Sequence, residues 1–478
     1  MQQNPSMMLA AVLIPMVGCF LLPAFAAISE KARNAFAVVL ASAMLASVLS
    51  LIPPVWAGAM PRAELALPLG FDLIFKADPL AVFMAAVSAL VGLFIVIYSL
   101  GYIAHYPNQT EYYVMVLLFL GSMMGLVFSM NLVWMYVFWE ITAICSWRLV
   151  GFFRKELDVL RADKTFLVTA FGALCMLLGF LTIYADHGTF NLEALRGKPL
   201  SGTTVFLILL GIFSKSATLP LSTWLPDAGV APSPVTALLH AAVLVKIGVY
   251  AFARIFCATF GLSPEWSEAV LCVAAASALV SAGAALVEND IKRIIAYSTI
   301  SQIGFIFLGL AVDNRIGVAG ALLYILMHGV AKGGLFLCAG IIEHGAHTKD
   351  ITKMGGLFRT MPVTAVSFAF CALSVMGIPP FGGFFSKFMV FEGAIAADQP
   401  RIAGFFLFGA VLTLVYLMRL FYAVFLGEER GHAEHEGSTS MVLSVASLGA
   451  LSLLLGLAIF YPASYAGLII DQINAGLP

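Results

Sequence analysis

Apolar residues run along this chain in stretches of about 20, the length an α-helix needs to cross the hydrocarbon of a bilayer. Fourteen such stretches are predicted, near 7–28, 34–52, 79–100, 111–130, 131–151, 165–185, 203–226, 235–256, 268–287, 294–312, 317–342, 361–397, 402–426 and 441–465. The runs are continuous rather than alternating between apolar and polar, which argues against a β-barrel. The first contains Ala24-Phe25-Ala26, which imitates a signal-peptide cleavage site. No Lys or Arg precedes it, so it reads as an uncleaved anchor.

The basic residues between the runs predict an orientation. With the N-terminus outside, inner segments carry Lys31, Arg33, Arg154, Lys155, Arg161, Lys164, Lys292, Arg293, Lys349, Lys353, Arg359 and Arg430. Outer segments then carry Arg62, Lys76, Arg196, Lys198, Arg254, Arg315 and Arg401, an asymmetry that fits the positive-inside rule. The longest outer stretch, about 53–78, is too short for a separate domain. The inner segment from Gly427 to Ser440 holds Glu428, Glu429, His432, Glu434, His435 and Glu436. Two His among acids suit a metal site, but nothing else there fixes ligand geometry, so a solvated loop is the reading adopted.

Composition narrows the function classes. Of 478 residues, 61% are hydrophobic and 11% charged, against about 25% charged in soluble domains, which leaves little room for a soluble catalytic domain. A net charge of −1 gives no electrostatic case for a nucleic-acid partner. The seven cysteines, Cys19, Cys145, Cys175, Cys257, Cys272, Cys338 and Cys371, fall in or near apolar spans and form no C-x-x-C pair. They read as small packing residues, not as ligands of a cluster or zinc. Phosphate-loop and dinucleotide fingerprints are also missing, so no cofactor is expected in this chain.

What remains informative is a handful of charges deep inside the spans. Glu140, Lys215, Lys246, Lys332 and Lys387 each lie within an apolar run. Such a charge costs about 3 kcal/mol at the bilayer centre unless it is hydrated or paired. His328 precedes Lys332 by four residues and shares its helix face. His240 lies about 9 Å along the axis from Lys246, on another face. One stray lysine can snorkel or act as structural glue, and one buried histidine is usually a hydrogen-bonded structural residue. Five charges on five helices read instead as an ion or proton path. A lysine suits a relay because burial lowers its proton affinity and a carboxylate restores it.

Two spans are predicted to be interrupted. Pro220 and Pro226 follow Lys215, and Gly377-Ile378-Pro379-Pro380 precedes Lys387. Proline removes a backbone donor and breaks the helix, which is tolerated at membrane depth where the break lines a wet cavity. Paired breaks are a sign of transporter repeats, here spans 4–8 and 9–13.

Several motifs carry a resemblance to a known family. They are Phe138-Trp139-Glu140, Lys215-Ser216-Ala217, Trp224-Leu225-Pro226-Asp227-Ala228, Pro232-Ser233-Pro234-Val235 and Leu239-His240-Ala241. Asp290-Ile291-Lys292-Arg293 through Ser301-Gln302, and Gly377-Ile378-Pro379-Pro380 with Gly383-Phe384-Phe385-Ser386-Lys387, belong with them. Over roughly residues 75–425, in order, the chain resembles the antiporter-like membrane subunits shared by respiratory complex I, Mrp cation/proton antiporters and membrane-bound hydrogenases.

The resemblance implies an all-α polytopic membrane protein of about fourteen helices with two inverted five-helix repeats and two broken helices. Its parts would be residues 1–110 (helices 1–3), 111–256 (first repeat), 268–426 (second repeat) and 441–478 (a C-terminal helix). It further implies that Glu140 and Lys215 pair and that Lys246 is a central relay. His328 and Lys332 would bridge the halves, and Lys387 would load the terminal proton. Tyr324 stands where some members carry a second histidine one turn before His328. The largest members end in a long amphipathic helix, and this chain is expected to fall outside them.

The function expected from these features is proton translocation within a redox-driven complex in a bacterial or archaeal plasma membrane. Its partners would be other membrane subunits, including related antiporter-like ones, and peripheral electron-transfer subunits. Iron–sulfur clusters, flavin or nickel–iron would be confined to those partners. The alternative is a component of a multisubunit Na⁺/H⁺ antiporter without redox chemistry. A non-conducting spacer is disfavoured, because a spacer has no reason to bury five charges.

Overall fold

The structure is a computed structural model and describes residues 4–430 and 436–474. Among the described residues, eleven helices are long and apolar enough to cross a membrane. The remaining three predicted spans are α6 and the two interrupted ones described below.

Three spans come first. α1 (Ser6–Gly18) and α2 (Leu22–Ile28) join through a single 3-10 turn into one crossing, followed by α3 (Glu30–Trp56) and α4 (Pro79–Tyr102). Between α3 and α4 the expected loop folds into an antiparallel hairpin, β1 (Arg62–Leu65) against β2 (Leu73–Lys76), so the chain is not wholly helical. The Asp78 carboxylate then accepts a 2.9 Å hydrogen bond from the Ala81 amide and caps α4.

The next five crossings are α5 (Gln109–Phe128), α6 (Leu132–Val150) and α7 (Glu156–His187), then the broken pair α8 (Gly202–Lys215) and α9 (Trp224–Asp227). The fifth, residues 233–260, is α10 (Ser233–Ala237) and α11 (Leu244–Phe252) with π-helical turns at Leu238–Ala242 and Ala253–Phe260. Five more follow: α12 (Pro264–Val287), α13 (Ile291–Ala311), α14 (Arg315–Ala346), the broken pair α15 (Pro362–Met376) and α16 (Gly382–Ala396), and α17 (Pro400–Phe421). In both sets the fourth crossing is the broken one. Because five is odd, the second set starts on the opposite face from the first, which makes the repeats inverted.

The C-terminal stretch is two helices rather than the expected one, α18 (Thr439–Leu457) and α19 (Phe460–Asn474). α19 turns at Ala458–Ile459 and packs Tyr465, Ala466, Ile469, Ile470 and Ile473 against the bundle.

Lipid is the solvent of the periphery. On α7, Leu167, Phe171, Leu174, Leu178 and Leu181 form one exposed apolar stripe at helical spacing, and α17 shows a similar one. α13, α14 and the 233–260 crossing are enclosed by the other helices. Small residues let them approach closely. A Cβ at Gly320 of α14 would stand 2.7 Å from the Val390 amide nitrogen and 2.9 Å from the Ser386 carbonyl oxygen of α16. Ion pairs gather at both membrane faces, Lys164 and Arg293 with Asp227 on one and Arg62 and Lys76 with Glu193 on the other.

Of the Gly427–Ser440 segment, His432, Glu434 and His435 lie outside the described residues. Glu436 accepts a 2.8 Å hydrogen bond from the Thr364 amide, and no cluster of metal-ligating side chains occurs among the described residues. All seven cysteines are unpaired, with Cys19, Cys145, Cys257, Cys338 and Cys371 buried.

Candidate functional site

Helix geometry brings the intramembrane charges to a common depth. Lys246 lies midway along the 233–260 crossing, about 20 Å from either end, and Lys332 is near the middle of α14. Lys215 is the last residue of α8, where the helix stops for Ala217 at φ 54° and the cis Leu219–Pro220 bond. Lys387 lies in the second turn of α16, just past the break at Gly377 (φ 82°) and the cis Pro379–Pro380 bond. Gly377 closes α15 in a left-handed conformation that a side chain would strain.

All four lysines are buried, and none forms an ion pair among the described residues. Their ammonium groups are held by backbone carbonyls instead. Lys215 donates to Trp139 O at 3.1 Å, Lys246 to Ala241 O at 2.5 Å, Lys332 to Ile295 O at 3.2 Å and Lys387 to Val375 O at 2.7 Å. Two of these carbonyls sit at interruptions, Ala241 in the π-helical turn and Val375 in the last turn of α15. Such places leave carbonyls free of helical donors. Aromatic faces complete the cages, with the Lys387 Nζ 4.5 Å from the Phe305 ring centre and the Lys215 Nζ 5.3 Å from that of Trp139.

The expected Glu140–Lys215 pair is therefore not closed. Lys215 bonds the carbonyl of Trp139, the residue before Glu140, and lies over the Trp139 ring. Glu140 is half-buried on α6, and its buried Oε1 has no hydrogen-bond partner.

Beyond Lys246 the groups connect. Lys246 Nζ is 3.0 Å from His328 Nδ1, and Lys332 follows one turn along the same face of α14. Lys332 donates to Ser298 Oγ at 2.6 Å, and Ser298 Oγ lies 2.6 Å from the Tyr416 hydroxyl. Gln302 Nε2 donates to Thr413 Oγ1 at 3.1 Å and to the Tyr416 hydroxyl at 3.4 Å. The Tyr324 hydroxyl donates to Gln302 Oε1 at 2.5 Å, and its ring centre is 5.4 Å from Lys387 Nζ. Lys246, His328, Lys332, Ser298, Tyr416, Gln302, Tyr324 and Lys387 thus form one buried polar line through α11, α14, α13, α17 and α16. His240 is near this line but outside it. Its ring faces Phe336 at 4.5 Å, and neither nitrogen has a partner.

Apart from Tyr324, which the resemblance singled out, sequence reasoning missed the neutral members. Ser298 and Gln302 sit in a motif that carries the resemblance, but a neutral polar residue in a helix gives no signal of its own. It also placed Lys292 and Arg254 on the membrane faces. Lys292 is buried and pairs with Glu343 at 2.6 Å, beside a cavity of about 560 Å³ lined by Tyr106, Glu343, His344, His347, Thr348 and Lys349. Arg254 is buried in a two-bond pair with Asp78, at 2.6 and 2.8 Å.

Comparison with known proteins bears on the family and the fold. Residues 129–413 match the family described as "NADH:quinone oxidoreductase/Mrp antiporter, TM", and residues 66–113 the family described as "NADH-Ubiquinone oxidoreductase (complex I), chain 5 N-terminus". The chain is 34% identical over 448 residues to a Na(+)/H(+) antiporter subunit of Alkalihalophilus pseudofirmus, covering 86% of this chain and 55% of that protein. It is 32% identical over 444 residues to a Na(+)/H(+) antiporter subunit of Staphylococcus aureus, again 86% and 55%. The chain spans about half the length of the curated relatives it matches.

Two solved structures share the fold. A chain of the "Mrp complex from Dietzia sp. DQ12-45-1b" superposes with a TM-score of 0.91 at 24% identity, over 99% of this chain and 98% of that one. A chain of the "membrane-bound sulfane sulfur reductase (MBS), an archaeal respiratory membrane complex" gives 0.87 at 22%, over 98% of each.

These relatives correct the leading expectation. The curated ones carry the name of a Na⁺/H⁺ antiporter component, so the reading as part of a redox-driven oxidoreductase or hydrogenase complex is overturned. Support for peripheral electron-transfer partners goes with it. The physical reason it misled is that buried lysines and helix breaks carry no trace of what drives a complex, whether electron transfer or an ion gradient. By the match across residues 129–413, the chain belongs to the NADH:quinone oxidoreductase/Mrp antiporter transmembrane family.

Proposed function

We propose that this chain is an ion-translocating membrane component of a multisubunit Na⁺/H⁺ antiporter. The observation that carries the reading is the buried polar line from Lys246 to Lys387, which joins both repeats at mid-depth. The names of the curated relatives support the choice of cation/proton exchange.

In this reading Glu140 and Lys215 form an open pair within the first repeat. A neighbouring protein packed on α6 draws Glu140 toward or away from Lys215, and the proton affinity of Lys215 follows. Lys246 passes the change on through His328 and Lys332 to Lys387, with Ser298, Tyr416, Gln302 and Tyr324 as hydrogen-bonded steps. His240 is a side group that Lys332 or Lys246 reaches only by rearrangement. The partners are other membrane subunits of the same complex, and the reading needs no cofactor in this chain. The N-terminus lies outside, following the basic residues, in a bacterial or archaeal plasma membrane. The repeats are bounded at 111–256 and 268–426, flanked by 1–110 and 441–478.

The test is cation-driven proton exchange in everted vesicles of an antiporter-deficient host producing this chain with its complex. Wild type is expected to exchange, and Glu140→Gln to lose about tenfold of the rate with the complex still assembled. Full exchange in assembled Glu140→Gln and Lys246→Met variants would remove the reading.

A further inference from the structure

Side-chain nitrogen and oxygen atoms that are buried without a hydrogen-bond partner are costly, and in native proteins they concentrate where water or function reaches them. Nine such atoms occur among the described residues. Five belong to Trp139, Glu140, His240 and His328, on or beside the path described above. Three others belong to Arg196, Tyr465 and Gln472, far from that path in sequence and gathered around a second set of buried charges.

That set is built on the 233–260 crossing. Lys246, Tyr250 and Arg254 recur every fourth residue and so line one face, all fully enclosed. Arg254 Nε donates to the Tyr250 hydroxyl at 2.9 Å, and the hydroxyl donates to Val127 O at 2.5 Å. Arg254 forks onto Asp78 at the start of α4. Asp78 also accepts a 2.8 Å bond from Gln472 Nε2 of α19, and Arg196 holds the end of α19 through the carbonyls of Gln472 and Ile473 at 2.7 and 3.1 Å. The stripe runs from mid-depth to the face that bears the β hairpin, where α19 covers it. Replacing such a buried pair with apolar residues often costs nothing in stability, so its presence asks for another reason.

We propose that Tyr250, Arg254 and Asp78 form a second branch of the ion path, from Lys246 to the hairpin face, with the Arg254–Asp78 pair as its gate and Gln472 of α19 as the latch. The proposal rests on the function proposed above. Lys246 now points toward Ala241 and His328, and its four-carbon stem lets the ammonium swing one turn toward Tyr250. With the pair closed, Lys246 communicates with the relay alone. When the pair parts, a polar passage joins Lys246 to solvent on the hairpin face.

Two variants of the assembled complex in vesicles decide it, because they move the gate in opposite directions. Asp78→Leu with Arg254→Met seals the branch with apolar groups and is expected to cut cation/proton exchange about tenfold. Gln472→Ala frees the pair and is expected to raise passive proton leak, without any cation gradient, about tenfold. Leak is read in both assembled variants: the gate predicts a rise in Gln472→Ala and none in the sealed double variant, whereas damage to the fold would raise it in both. Wild-type exchange in the assembled double variant overturns the gate. Should that variant not assemble, an unchanged leak in Gln472→Ala overturns it. A wild-type complex without exchange refutes the antiporter reading, and the Gln472→Ala leak still reports on the gate.

Discussion

Lys246 Nζ and His328 Nδ1 lie 3.0 Å apart at the junction of the two repeats, on helices 82 residues apart in sequence. With Lys246 charged, Nδ1 accepts and the ring proton sits on Nε2, which has no partner. With Lys246 neutral, the donor and acceptor roles reverse. The contact can therefore pass a proton between repeats without moving a helix. His328→Leu is expected to lower exchange about tenfold while assembly is retained, and His328→Gln to restore part of it by keeping a hydrogen-bonding group at the ring's position. Equal exchange in wild type and His328→Leu would exclude this contact from the path.

The neutral steps are predicted to matter as much as the charges. Tyr324→Phe removes the donor to Gln302 Oε1 and nothing else, leaving a buried acceptor unsatisfied. It is expected to cost about 1 kcal/mol of stability and to slow exchange several-fold. Ser298→Ala severs Lys332 from Tyr416 and is expected to act similarly. Exchange assays on the two single variants and their double variant check whether they act in one line. Additive losses in the double variant would place them on separate routes.

Close packing of α14 on α16 is what holds Tyr324 against Lys387. A methyl group at Gly320 would meet backbone atoms of Val390 and Ser386, which cannot give way as a side chain can. Gly320→Ala is expected to destabilise the protein by about 1–3 kcal/mol, read as a lower melting temperature in detergent. An unchanged melting temperature would show that the two helices are free to separate.

At the hairpin face, Glu193 bridges Arg62 and Lys76 at 2.6 and 2.7 Å. Partial burial raises its pKa, but Lys76 and Arg62 outweigh that and hold it below the ordinary 4.5. A carboxylate depressed in the folded state stabilises above its unfolded pKa and loses that contribution as pH falls through the folded one. Melting temperatures of wild type and Glu193→Gln are therefore expected to differ at neutral pH and to converge as the pH falls below the ordinary 4.5 and through the depressed folded value. A difference that shows no decline at any pH below 4.5 would contradict the pairing.

Much of this protein is legible in its sequence. Apolar run length, proline and the basic residues are local properties, and they yield the spans, the two breaks and the buried lysines. Lys387 and Lys215 stand out because a charge in hydrocarbon is anomalous wherever it falls. Ser298, Gln302 and Tyr416 do not stand out, since each is an ordinary helix residue until its neighbour is known. The hairpin at 62–76 is hidden for a related reason, as four-residue strands carry almost no periodicity.

What the sequence by itself determined is therefore which groups are out of place in a membrane. Only the tertiary structure decided what each of them touches. Lys215 bonds Trp139 O rather than Glu140, and Arg254 pairs with Asp78 across 176 residues. The polar line closes through α13 and α17. The physical reason is range: hydropathy and helix breaking act within a few residues, whereas a hydrogen bond needs two groups within about 3 Å, which helix packing alone arranges.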